Sequence, residues 1–581
     1  MQCFNPTPWT PSGRVDAVHG SPHDVLACKK SATLLRSSVG GRRESEAPCV
    51  AQQRRRARSG TATMRVMEPI LYRDTRGLDP KPRTFTEAVI AGIAEGGGLY
   101  VPERVPELTL AQIAGSADLT YAQRATDIFL RFGIDVPDER VAELMELAYG
   151  AAFDTTSVAP VVEVDSGTHV LELWHGPTSA FKDMALQCMP LFFSEAISMR
   201  LAAGRKLDDY LVLVATSGDT GKAALEGFAD RDHTRVVVFY PVDGVSDIQR
   251  RQMVTQHGGN VAVFGVRGNF DDCQTAVKQA FTDPEFARTL HERHGLTMSS
   301  ANSINWGRLM PQIVYYISAY ADMIAVGAVR PGEPIDVCVP TGNFGNILAG
   351  YYAKRMGVPI GRLLCASNEN HVLTDFLGTG AYDISHRRFV TTPSPSMDIL
   401  VSSNLERLLF ELSGRPEDVR HWQEALTAGG RFLVDRHTFE GMREHFAGDW
   451  VTNDESLAVI RRVWEDHGYL LDPHTAVAWE VAERLATDDP MLVVSTAHWA
   501  KFGEDAYKAL NNLDYADPLP AEARGMSGVD LVECVARLAP GAAPIPRNLA
   551  TLGEQPVRFE DVVDPGREGV ETAVTAWLEQ G

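Results

Sequence analysis

The chain has 581 residues, of which 44% are hydrophobic and 23% charged, with 49 Gly and 33 Pro. That balance excludes a collagen-like repeat, a long coiled coil and wholesale disorder, and the length suggests about three domains. A formal net charge of -21 argues against a general nucleic-acid binder, because phosphate contacts need clustered cations.

Residues 1–63 hold ten Lys/Arg and four Asp/Glu, a local charge of +6 that leaves the rest at -27. This stretch is rich in Ser, Arg, Pro and Gly and lacks periodicity, so disorder is expected. It reads either as an Arg- and Ser-rich transit peptide, giving an organellar location, or as sequence upstream of a start at Met64 or Met67, giving a cytoplasmic one. Residues 64–160 read as a small, mainly helical N-terminal domain. Apolar spacing predicts a helix over 85–94, stopping at Gly96-Gly97-Gly98, and two or three amphipathic helices over 108–150.

From about 160 to 370 the rhythm changes. Short apolar runs at 210–215, 236–240, 261–266 and 335–339 read as buried strands. Helical patterns lie between and around them at 184–193, 222–229, 247–256, 272–281, 306–325 and 346–356. Alternation of this kind predicts a largely parallel sheet covered on both faces, with ligands beyond the carboxyl ends of its strands. Residues 400–480 read as a charged helical insertion and 491–494 as one more strand. The catalytic part thus spans 161–512 in two lobes, followed by a peripheral segment, 513–581, with a closing helix near 570–578.

Eight Cys are present without a CxxC pair, so neither a disulfide framework nor a metal site is expected. The most apolar long stretch, 310–329, is broken by Pro311, Gln312 and Asp322, which argues against a membrane span.

Four short segments carry chemistry. Trp174-His175-Gly176-Pro177-Thr178-Ser179-Ala180-Phe181-Lys182-Asp183 places one lysine beside an aromatic, ahead of an apolar helix. Desolvation there would lower its pKa and free the amine as a nucleophile. Thr216-Ser217-Gly218-Asp219-Thr220-Gly221 and Pro340-Thr341-Gly342-Asn343-Phe344-Gly345-Asn346 each follow a strand and open a helix. Glycines and helix N-termini in that setting suit anions. Ser495-Thr496 ends a strand with hydroxyls. Each segment alone is compatible with an ordinary turn. Together they place an activatable lysine, two anion cradles and a hydroxyl at the strand ends of one sheet, which describes a pyridoxal phosphate site.

These segments resemble threonine synthase, a fold-type II pyridoxal phosphate enzyme of the tryptophan synthase β-like class. The likeness extends to Tyr72-Arg73-Asp74-Thr75-Arg76-Gly77, Glu95 to Pro102, Ser303-Ile304-Asn305-Trp306-Gly307-Arg308, Ala497-His498 and Lys501-Phe502, in order from about 70 to 510. The longer branch found in fungi and many bacteria fits best. The resemblance implies that Lys182 carries the cofactor and acts as general base. It implies that Gly342, Asn343, Phe344, Gly345 and Asn346 bind the cofactor phosphate, and that Thr496 faces the pyridine nitrogen. Ser217, Asp219, Thr220, Asn305 and Arg308 are the expected substrate residues, with the first three serving the substrate carboxylate or the cofactor hydroxyl. Asp219 stands where many fold-type II enzymes have Asn. Its carboxylate would repel a substrate carboxylate, so it is expected to face away or be protonated. The implied substrate is O-phospho-L-homoserine and the implied product L-threonine, with a monomer or homodimer as the working unit. A phospholyase giving 2-oxobutyrate, or a non-catalytic protein of the same fold, are the alternatives.

Overall fold

The computed structural model describes residues 69–242 and 244–580, so the readings of residues 1–63 lie outside it. In the N-terminal part, strands Tyr72–Asp74 and Tyr100–Pro102 pair antiparallel. Helices Phe85–Ala91, Leu110–Gly115 and Tyr121–Arg131 each begin with a Thr capping box, at Thr84, Thr109 and Thr120. The Thr hydroxyl and the Glu or Gln three residues on satisfy end donors reciprocally. The first helix ends three residues earlier than its apolar spacing predicts. Gly92, at φ +70°, turns the chain there, a backbone state that glycine adopts without steric cost.

The central part holds two sheets rather than the single sheet inferred from the strand rhythm. One has the order Phe446–Trp450, Ile360–Ser367, Ile335–Pro340, Met491–Ser495, Thr168–Glu172, Val161–Asp165. All its neighbours are parallel except the last pair. The other has the order Val562–Val563, Val261–Val266, Thr234–Pro241, Asp209–Ala215, Leu296–Ser299, and is parallel throughout. Their inner strands are buried along nearly their whole length, as sheets covered on both faces require. Helix Trp306–Ala325 is buried over most of its surface and packs on helix Gly345–Arg355.

Three further expectations change. The predicted helix over 184–193 is two helices, Asp183–Leu186 and Met189–Ala202. Pro190 lacks an N–H and crowds the carbonyl four residues back, which is that of Leu186. The freed Leu186 carbonyl lies against Gly227, where any side chain would collide with it. The 400–480 region is not wholly helical, since Phe446–Trp450 forms the edge of the six-stranded sheet. The 513–581 segment is not merely peripheral. Val562–Val563 extends the five-stranded sheet, and helix Arg567–Gln580 packs on helix Phe270–Thr282. The five described cysteines are unpaired, and four of them are buried. Among the described residues no helix is long and apolar enough to cross a membrane.

Candidate active site

The turn after strand Thr168–Glu172 is built around Asp183. Its carboxylate accepts from Thr178 N–H at 2.8 Å and Thr178 Oγ1 at 2.7 Å. A Cβ at Gly176 would sit 2.5 Å from Asp183, so only glycine lets the turn close. Burial pushes the Asp183 carboxyl up to about 6. Ser179 takes a left-handed φ of 58°. The turn is tied to the segment after strand Met491–Ser495 by Phe181 N–H donating to Thr496 O at 2.8 Å and His498 N–H to Ser179 O at 3.2 Å. These constraints leave Lys182 buried, with Nζ 2.9 Å from Ser396 Oγ and 3.8 Å from Asp219 Oδ2. Burial brings its ammonium down to about 8, while Asp219 acts upward and Arg308 and Lys501 downward.

The segment after strand Ile335–Pro340 is a second rigid turn. A Cβ at Gly342 would lie 2.7 Å from Ser396 O. Phe344 has a left-handed φ of 62° and caps helix Gly345–Arg355. Ser402 Oγ donates to Gly342 O, Ser403 Oγ to Asn343 Oδ1, and Asn404 N–H to Asn343 O. The carbonyl side of the turn is therefore engaged from outside, and the helix start offers its first-turn N–H groups elsewhere. Tyr315 and Tyr316 hydroxyls both donate to Asn346 Oδ1, at 2.5 and 2.6 Å. That fixes the amide and leaves Asn346 Nδ2 buried with no partner.

Arg308 presents a similar orphan. Its Nη1 donates to Ala301 O at 2.7 Å, but its buried Nε has no partner. Burial lowers its guanidinium to about 10. Asn305, in contrast, is fully used. Its Nδ2 donates to Val89 O at 2.8 Å and its Oδ1 caps Gly307 N–H at 2.9 Å. Its amide is the N-cap of helix Trp306–Ala325.

The 216–221 turn also differs from expectation. Thr216 Oγ1 accepts from Gly218 N–H at 3.0 Å and Gly221 N–H at 2.8 Å, so two of the supposed anion donors are occupied. Ser217 Oγ lies 3.5 Å from Pro395 O, and Thr220 is half-buried at the start of helix Asp219–Phe228. Asp219 is turned toward Lys501 and Lys182 and is held ionised rather than protonated. Lys501 Nζ sits 2.8 Å from its Oδ1, and Gln249 Nε2 donates to the same oxygen at 2.9 Å. Burial would raise this carboxyl, but Lys501, Lys182 and His474 outweigh it and hold it well below the usual carboxylate range.

Ser396 thus joins Lys182, Asp219 and Gly342, Arg308 acts on Lys182 through its charge, and the backbone of buried Thr496 is bonded to the lysine turn. The sequence reading missed Ser396, Gln249, His474 and Asn548, and assigned Lys501 no role. Asn548 Nδ2 donates to Pro177 O at 2.8 Å and Ser179 Oγ at 3.0 Å, which anchors the lysine turn to the C-terminal segment. Gln249 and His474 lie in stretches read as helical, and Ser396 and Asn548 in none, but no chemical motif marks any of the four. Only Lys501, in the quoted pair Lys501-Phe502, left a signal.

Residues 71–149 match the family described as "Threonine synthase N terminus", residues 160–497 match "Pyridoxal-phosphate dependent enzyme", and residues 475–574 match "Threonine synthase, C-terminal". The threonine synthase of Pseudomonas aeruginosa is 39% identical over 454 residues, 78% of this chain and 92% of that protein. The threonine synthase-like 1 protein of Homo sapiens is 44% identical over 446 residues, 73% of this chain. The match spans only 58% of that relative's length. The crystal structure of pyridoxal phosphate-bound threonine synthase from Brucella melitensis superposes with a TM-score of 0.74 at 37% identity, covering 87% of this chain and 99% of that one.

Proposed function

The chain belongs to the threonine synthase family of pyridoxal phosphate-dependent enzymes, and from that premise we propose that it converts O-phospho-L-homoserine and water to L-threonine and phosphate. The observation that carries this reading is a local surplus of buried cationic and donor groups. Lys182, Arg308 and Lys501 are all buried, and of the three only the lysines flank a carboxylate, that of Asp219. Arg308 Nε and Asn346 Nδ2 lack partners. Buried donors without partners cost free energy unless a ligand meets them. Two phosphate groups and a carboxylate, one phosphate from the cofactor and the rest from the substrate, are the anions this reaction brings.

The residues present fit the cofactor. Asn346 Nδ2 and the first-turn N–H groups of the Gly342–Asn346 turn would hold its phosphate. Thr496 would face its ring nitrogen, and Lys182 would carry it covalently. When bound, pyridoxal phosphate supplies an electron sink for charge developing beside the substrate amine. Lys182 Nζ would take a proton from the substrate Cα and then one from Cβ as the C–O bond to phosphate breaks at Cγ; one proton goes back to Cγ, which becomes the product methyl, and after water adds at Cβ one goes back to Cα. Its lowered basicity lets the neutral amine exist near neutral pH. Arg308 would grip an anionic substrate group, where a guanidinium fork suits phosphate or carboxylate. Ser217 and Thr220 are left to the substrate carboxylate, since Asp219 is committed to the lysines.

The test is product analysis with O-phospho-L-homoserine. Wild-type protein should release threonine and phosphate in equal amounts, and Lys182→Ala should release neither. The 44% identity to a protein named threonine synthase-like 1 keeps a second outcome in the same assay. A keto acid and ammonia in place of threonine would establish the phospholyase alternative.

A further inference from the structure

Lys182 Nζ donates to Ser396 Oγ at 2.9 Å, and that hydroxyl donates in turn to Asp219 Oδ2 at 3.2 Å. The far oxygen of Asp219 is fixed by Lys501 and Gln249. Lys501 is itself held by Thr178 O at 2.8 Å, inside the turn that delivers Lys182. Ser396 is equally constrained. Its N–H donates to His474 Nε2 at 3.2 Å, and His474 Nδ1 lies 2.8 Å from Asp472 Oδ1. Its carbonyl borders Gly342. The loop carrying it is pinned by Asn368 and Thr392, both donating to Asp398 Oδ1 at 2.8 and 2.7 Å. Such a loop holds a side chain in one place because every polar partner is satisfied.

We propose that Ser396 is a positioning residue for proton transfer at Lys182, its hydroxyl aimed by the Asp219–Lys501 pair so that the amine lone pair faces the substrate carbon. The proposal rests on the reading of Lys182 as the base. In the proton step a substrate C–H bond breaks and an N–H bond forms at Nζ. Ser396 Oγ accepts a hydrogen bond from the resulting ammonium, and its own proton stays directed at Asp219. No net proton passes through Ser396, because the Asp219 carboxylate is too weak a base to take one. Asp219, Arg308 and Lys501 are the charged groups acting on Lys182, and His474 faces Asp219. Ser396 and Asp219 favour the ammonium; Arg308 and Lys501 oppose it.

The test is the Lys182 titration in full-length, cofactor-free protein, followed by NMR of ε-13C lysine and assigned with Lys182→Arg. Losing a hydrogen bond to a charged group should lower the midpoint in Ser396→Ala by about one pH unit. Ser396→Thr keeps the hydroxyl and should titrate like wild type, while Lys501→Met should titrate higher. In the loaded enzyme, Ser396→Ala should lower kcat and leave KM within about twofold, as expected when an interaction of the reacting step is lost. A wild-type midpoint in Ser396→Ala, or an equal fall in Ser396→Thr, overturns the proposal. Should Ser396→Ala not fold, an unmoved midpoint in Lys501→Met overturns it instead. Addition of pyridoxal phosphate to each protein, read by visible absorbance, separates the two claims. Wild type that takes no cofactor defeats the functional reading, whereas normal uptake with unmoved midpoints defeats only the role of Ser396.

Discussion

Burial acts on single residues here by removing water from groups that need it. Lys182 loses basicity, Arg308 is held without a carboxylate, and Asn346 keeps a donor with nowhere to go. Asn346 gives the cleanest measurement. Asn346→Asp keeps an oxygen for Tyr315 and Tyr316 and replaces only the orphan donor. A carboxylate facing a phosphate should weaken cofactor binding by roughly 10- to 100-fold, the value of a hydrogen bond to a charged group. Equilibrium dialysis against pyridoxal phosphate measures it, and an unchanged affinity would remove Asn346 from the phosphate site. Lys182 was legible in the sequence because a lone lysine follows a Gly-Pro turn and precedes an apolar helix. Ser396 was not, because its loop around Pro393 and Pro395 has no period and meets Lys182 across 214 residues. The capping role of Asn305 was not legible either, since a polar residue beside Arg308 looks the same in sequence whether it caps a helix or meets a substrate.

The elements that frame the site are turns whose shape depends on what packs against them. Gly342 shows this most directly. Gly342→Ala would push a methyl into Ser396 O at 2.7 Å and Met397 Cα at 3.0 Å. Both obstacles are backbone, so they cannot swing aside. Overpacking of this kind costs about 1–3 kcal/mol. The variant should show a lower Tm and a weakened hold on the cofactor, because the same shift moves the phosphate turn and Ser396. A variant with the Tm and cofactor affinity of wild type would show that the turn has slack. Strand and helix cores were readable from apolar runs, with 261–266 and 306–325 recovered to the residue. Ends and breaks were less so. Pro190 splits one apparent helix, and Gly92 ends another before its apolar spacing runs out.

For the molecule as a whole, charge has opposite signs at two length scales. The chain from residue 64 onward carries -27, yet the region around Lys182 holds three buried cations beside the ionised Asp219. At about 0.01 M salt the Debye length is roughly 30 Å, so an approaching phosphate feels the acidic body. At about 0.1 M it is roughly 10 Å, and only the local field remains. Raising salt over that range should therefore speed cofactor capture by the cofactor-free protein. Stopped-flow absorbance measures this, and a rate that falls steeply with salt would mean the local cations already steer at long range.

By itself the sequence determined which segments could bear chemistry, and through their motifs the family. Strand-turn-helix patterns and a lysine in apolar surroundings are local properties, written in consecutive residues. Tertiary structure decided that the strands form two sheets, that the C-terminal segment braces the lysine turn through Asn548, and that Asp219 pairs with Lys501 and lies beside Lys182. Those outcomes depend on distances between residues far apart in the chain, and periodicity and composition contain no such distances.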